Sequence, residues 1–181
     1  AANPDADDAS PAPVGNLLLC MLAGARINIC ETSEIADNLN RVYQQLEAQG
    51  LQPMLIPGGG HCLSGALAYA DAVNELNDFP DVIVLPSGTG ATQGGVLAGL
   101  DRAGASTRVI GISVARKAAR GRKAVMESYL EARGFLGVEE SVAESRVEFD
   151  DRWIGEGYGK TDAISIQMIR VVATATGVIL D

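Results

Sequence analysis

Residues 81 to 100 read DVIVLPSGTGATQGGVLAGL, and this stretch decides the fold. Asp81 to Leu85 is a short β-branched apolar run that reads as a buried strand, and Val96 to Leu100 reads as helix. Between them lies SGTGATQGG, residues 87 to 95, with four glycines and two threonines. The order is strand, glycine loop, helix start. In that order the loop and the first helical turn offer backbone N–H groups without an internal acceptor, and the helix dipole adds partial positive charge at the same end. An anion, most often a phosphate, fits there. Glycine removes the Cβ atoms that would hold an anion off the backbone and allows the positive φ that turns successive N–H groups inward. Thr89 and Thr92 add hydroxyl donors. The stretch has neither the lysine of GxxxxGK[ST] nor the GxGxxG spacing, so two common nucleotide-binding readings lose support. The plain alternative is a tightly packed strand-to-helix turn that binds nothing.

Upstream, the pattern alternates. PGGGHC, residues 57 to 62, is a second glycine loop, followed by a helix with Leu67, Ala70, Val73 and Leu76 on one side. A strand is expected over Pro53 to Ile56 and another over Arg26 to Cys30. Between them Thr32 or Ser33 caps a helix whose apolar positions Ile35, Leu39, Val42, Tyr43 and Leu46 share a face, and Gly50 closes it. GNLLLCMLAGA reads as a short helix ending at Gly24. The first fourteen residues, rich in Pro, Ala and Asp, read as an exposed linker or loop.

Downstream, a helix to about Arg102 and a strand from Arg108 to Val114 complete a strand-helix alternation. The implied architecture is α/β: an open, mainly parallel, twisted sheet with right-handed crossovers and helices on both faces. Ligands of such sheets sit at the carboxyl ends of the strands, and both glycine loops lie at such ends. From Ala115 to about Arg133 the chain reads as a charged helix, with Arg116, Lys117, Arg120, Arg122 and Lys123 as a solvated stripe. Arg146 to Phe149 reads as a short strand and WIGEGYG as a loop. Thr161 caps a last helix that reaches Thr176 and stops at Gly177. The apolar tail after Gly177 predicts that more polypeptide follows or that a partner covers it.

Composition bounds the function. The 181 residues are 47% apolar but only 4% aromatic, which fits an aliphatic α/β core. A net charge of −9 argues against nucleic acid or anionic membrane as partner. The three cysteines, Cys20, Cys30 and Cys62, show no disulfide framework and no zinc spacing, and with no leader or membrane-length run visible they predict a cytoplasmic protein.

Four stretches in order, IPGGGHCLSGALAYADA, DVIVLPSGTGATQGGVLAGL, RVIGISVARKA and WIGEGYGKTDAISIQMIRVVATATGVILD, resemble the D-cysteine desulfhydrase and 1-aminocyclopropane-1-carboxylate deaminase family, pyridoxal-phosphate enzymes of the tryptophan synthase β fold type. PVGNLLLCMLAGARI is similar to the segment before that family's central strands. The resemblance therefore spans residues 15 to 181 and implies a pyridoxal-phosphate-enzyme-like region of two incomplete lobes. It implies pyridoxal phosphate as cofactor, its phosphate held by the loop of Gly88, Thr89, Gly90, Ala91 and Thr92. It also implies a lyase or deaminase of amino acid metabolism that turns a small amino acid, of the D-cysteine or aminocyclopropane carboxylate type, into a keto acid and ammonia. Family members commonly dimerise.

Where the family carries a polar pair, this chain has His61 and Cys62. The family's Schiff-base lysine lies upstream of anything matched here, and Lys117, Lys123 and Lys160 are in no glycine-rich context. The resemblance thus implies a phosphate-anchoring part that is inactive by itself, whose lysine comes from a second polypeptide or from segments outside this chain. Two other readings stay open. A small Cys/His hydrolase on a flavodoxin-like sheet would use Cys62 at a helix start beside His61. A noncatalytic protein would bind a phosphate ligand and do no chemistry. No metal site is expected, and Tyr158 receives no role.

Overall fold

A computed structural model of the chain describes residues 13–139 and 141–180. They divide into two compact units between Leu55 and Ile56. Most of the segment expected as a terminal linker, and Asp181 of the tail, lie outside the described residues.

In the first unit, α1 spans Gly15–Leu22 and α2 spans Ile35–Ala48. α1 ends where expected, and Gly24 and Gly50 both take positive φ just past their helices. A 3-10 turn over Thr32–Glu34 leads into α2, with no side-chain cap. Neither expected strand forms, since 26–30 and 53–56 carry no ladder. Apolar, β-branched composition only permits a strand. A ladder needs a neighbour, and these segments find none among the described residues.

In the second unit, α3 (Leu63–Ala72) precedes β1 (Val82–Ser87), α4 (Ala91–Arg102), β2 (Arg108–Ser113), α5 (Ala118–Leu136), β3 (Glu148–Asp150) and α6 (Ala163–Thr176). The sheet is parallel throughout in the order β1-β2-β3, with Ser87 opposite Ser113 and Gly111 opposite Phe149. The core lies on the side of Val109 and Phe149, against Leu97, Leu100, Val125 and Tyr129. On the opposite face Val82 and Val84 remain exposed. α6 is capped by Asp162, whose Oδ1 accepts from Ser165 N at 2.7 Å, so the cap falls one residue after the expected Thr161. Among the described residues no helix is long and apolar enough to cross a membrane.

Helix packing here is set by missing side chains. A Cβ on Gly95 would fall inside the van der Waals envelope of Ala66 O, and one on Gly99 would lie 2.9 Å from Ala70 Cα. On another side of α4, a Cβ on Gly90 would lie 2.9 Å from Ala124 C, and one on Gly94 2.8 Å from Tyr129 N. The contacts advance in the same direction on each helix, by four residues from Ala66 to Ala70 and by five from Ala124 to Tyr129. α3, α4 and α5 are therefore parallel, with backbones closer than side chains would permit. A third absence admits Gln93: its amide occupies the space a Gly111 Cβ would take and donates to Glu148 O at 2.7 Å, tying α4 to the sheet.

The carboxyl end of α4 carries a polar lock. Asp101 accepts from Tyr129 Oη, from Arg133 Nη1 and, at 3.0 Å, from Arg146 Nη2. Burial holds the Tyr129 hydroxyl above the ordinary tyrosine range, and the bond to Asp101 adds to this. A folded-state pKa above the unfolded one gives stability that is complete below the unfolded value, about 10, and is lost as pH rises through the folded value. The native chain should therefore lose more stability in alkali than Tyr129→Phe does, as read from paired denaturant titrations across that range.

Candidate functional site

The two glycine loops meet. Gly59, at φ +68, lies so close to Thr89 that a Cβ there would be 2.8 Å from Thr89 Cγ2. Their helices start at one level. Because Ala66 faces Gly95 and Ala70 faces Gly99, stepping back one turn brings Cys62, the N-cap of α3, level with Ala91, the first residue of α4. Two parallel dipoles thus direct their positive ends to one rim.

Within residues 88–92, Gly88, Thr89 and Thr92 are half-buried while Gly90 and Ala91 are buried. Gly90 is the N-cap of α4 at φ +104 and makes no side-chain cap. The bond closing the first turn runs from Gly94 N to Gly90 O at 2.9 Å, so the amides of Ala91, Thr92 and Gln93 precede the intrahelical ladder. The loop is braced from β2. Val114 N donates to Ser87 O at 3.2 Å, and a Cβ on Gly88 would lie 3.2 Å from Val114 Cγ2.

Two polar atoms nearby are orphaned. Among the described residues Ser87 Oγ, on a residue only 2% exposed, has no partner, and Nδ1 of His61 is likewise buried without one. A glycine loop with Gly90 at positive φ, an uncapped helix start and orphaned polar atoms fit a phosphate. Ser87 opens the glycine stretch, but nothing in its residue type marked it in the sequence as unpartnered.

Other sequence-singled residues lie elsewhere. Cys62 is exposed and caps nothing, and Trp153 and Tyr158 stand on the surface, Tyr158 81% exposed. Lys117, Lys123 and Lys160 are exposed, with Lys123 3.9 Å from Glu127. One member of the charged stripe departs from the expected solvated face: Arg116 is half-buried and donates from Nη1 to Thr89 O at 3.3 Å. It follows β2 directly, so it stands on the same rim as the loop, where the helical charge pattern concealed it.

A parallel α/β unit with a glycine loop and an uncapped helix start at its carboxyl rim is the setting in which phosphate ligands commonly sit. Comparison with known proteins narrows this further. The family model described as pyridoxal-phosphate dependent enzyme matches residues 7–181, and the chain belongs to that family. D-cysteine desulfhydrases of Salmonella paratyphi C and Salmonella choleraesuis are each 28% identical over 174 residues, covering 92% of this chain and 52% of theirs. The crystal structure of an ACC deaminase homologue superposes with a TM-score of 0.80 at 31% identity, covering 92% of this chain and 52% of that one. The chain thus spans about half the length of the relatives it matches. The fold is tryptophan synthase β-like, as the resemblance implies, and the cofactor that membership carries is pyridoxal phosphate.

Proposed function

We propose that Gly88, Thr89, Gly90, Ala91 and Thr92 anchor the phosphate of pyridoxal phosphate in a lyase or deaminase acting on a small amino acid, of the D-cysteine or aminocyclopropane carboxylate type, to give a keto acid and ammonia. The observation that carries this reading is the uncapped start of α4, with Gly90 at φ +104 and free amides following it. The backbone N–H groups of Gly90 to Thr92 and the hydroxyls of Thr89 and Thr92 bind phosphate oxygens. The packing of α4 on α3 and α5 fixes where the phosphate sits, and partial burial of the loop reduces competition from water. When bound, pyridoxal phosphate supplies the electron sink for chemistry at the substrate Cα. His61 and Cys62, on the neighbouring loop, face the same rim as the start of α4.

The lysine that holds the cofactor covalently comes from outside these 181 residues, a reading supported by the exposed positions of Lys117, Lys123 and Lys160. Exposed apolar side chains on α1, such as Leu19 and Leu22, and on α6, such as Ile164 and Met168, support a further polypeptide or a second copy as partner. Three free cysteines support a cytoplasmic setting.

Borohydride treatment of the protein from its natural source, after addition of pyridoxal phosphate, is expected to leave a pyridoxyl label on a lysine other than these three, located by peptide mapping. A label on Lys117, Lys123 or Lys160 overturns the assignment. Gly90→Ala places a Cβ against the Ala124 backbone in a conformation side chains avoid. It is expected to weaken phosphate-dependent binding at least about tenfold, since a misdirected donor loses a charge-assisted bond, as read by titration calorimetry.

A further inference from the structure

Three arginines of the described residues are withdrawn from solvent: Arg116, Arg133 and Arg146. Two of them share Asp101. Arg116 has no such carboxylate among the described residues, and its one side-chain bond goes to the carbonyl of Thr89.

Its backbone is held where that bond requires. Ser113 Oγ donates to Arg116 O at 2.6 Å and accepts from Ala115 N at 3.2 Å, making a tight turn at the end of β2. Ser113 is itself in register with Ser87. The turn after β2 and the loop after β1 are thus a fixed distance apart, and the Arg116 side chain bridges them.

In a trans peptide the C=O and N–H point in opposite directions. Holding the Thr89 carbonyl toward Arg116 therefore turns the Gly90 N–H away from it. The flipped peptide, which glycine at φ +104 would otherwise tolerate, exchanges the directions of donor and acceptor. In one orientation the loop presents an N–H to an anion, and in the other a carbonyl oxygen that repels it. The guanidinium also brings a positive charge that no carboxylate among the described residues neutralises, in a chain whose net charge is −9.

We propose that Arg116 is a positioning residue for the phosphate loop: it fixes the Thr89–Gly90 peptide in the anion-accepting orientation and supplies the cationic field that favours a phosphate ester there. The proposal rests on the assignment of residues 88–92 to phosphate binding. It adds a residue from β2's end to a site otherwise built from β1 and α4.

The test uses the 181-residue chain and three variants, Arg116→Met, Arg116→Lys and Thr92→Val, each titrated with pyridoxal 5′-phosphate and with pyridoxal, which lacks the phosphate, at low and high salt. Arg116→Met is expected to bind pyridoxal 5′-phosphate about tenfold more weakly and pyridoxal unchanged. Its remaining affinity is expected to vary less with salt, because the screened charge is gone. Arg116→Lys should keep the salt dependence while recovering only part of the affinity, since one ammonium on a different stem cannot reproduce the planar donor. The phosphorus resonance of the bound ligand is expected to shift between native and Arg116→Met. If Thr92→Val weakens phosphate-dependent binding and Arg116→Met does not, the role of Arg116 is overturned while the loop assignment stands. An equal loss for both ligands in Arg116→Met also overturns it, because that is general damage to the fold. If neither variant discriminates between the two ligands, the phosphate assignment fails and the Arg116 role fails with it.

Discussion

Gly95→Ala is expected to destabilise the second unit by about 1–3 kcal/mol, the range for overpacking a filled interior. Helix propensity alone predicts the reverse, a gain of about 1 kcal/mol from replacing glycine in a helix. Packing wins because the added methyl group would meet Ala66 O, a backbone atom that no rotamer change can move. α3 would have to withdraw from α4 along its length and expose Ala66, Ala70 and Leu97, all now buried. Gly134→Ala provides the control. Gly134 lies in α5 with nothing within 4 Å of the added Cβ, so the same exchange should stabilise by up to about 1 kcal/mol. Denaturant unfolding of the two variants should give opposite signs, and a stabilised Gly95→Ala would contradict the close approach of α3 to α4.

Asp101→Ala is expected to cost about 3–5 kcal/mol, the range for removing one partner of a buried ion pair. The Asp101 carboxylate is shared by Tyr129, Arg133 and Arg146, and Arg133 is 5% exposed. Taking it away leaves guanidinium charge in a poorly solvated place. The exchange is also at the far end of α4 from residues 88–92: ten steps along the helix from Ala91 to Asp101 at 1.5 Å each amount to about 15 Å. Thermal unfolding should show a large loss, whereas the affinity for pyridoxal phosphate, measured below the lowered midpoint, should match the native chain. A loss of affinity there would show that the lock at the carboxyl end reaches the rim.

The sequence made the central alternation legible because each step there is local. A β-branched run, a glycine loop and an apolar helical stripe mark β1, the loop and α4 in order, although β1 runs on to Ser87 and α4 already starts at Ala91 within the glycine stretch, and β2 follows the same logic. The run over Arg26 to Cys30 carries similar local signals but forms no strand, because pairing depends on what lies beside a segment and not within it. The four glycines of SGTGATQGG show a second limit. Composition assigns them all to one purpose, yet Gly88 shapes the loop, Gly94 and Gly95 bring helices together, and Gly90 does both. No pattern in one chain separates those uses, since both demand only that a side chain be missing. Arg116 was concealed by the opposite effect, a helical run of charges in which the first member belongs to the rim.

The seams between α3, α4 and α5 have a mechanical consequence. Sliding one helix past another by a fraction of a turn would drive a neighbouring side chain into a glycine notch that no longer faces it, so relative sliding is blocked. The start of α4 and the loop before α3 therefore move as one piece. Adjusting the mouth to a longer or bulkier ligand must then come from swinging loops about their ends, a hinge and not a shear. In this unit any adjustment at the rim therefore falls to the loops, where His61 and Cys62 stand, and not to the helices beneath them.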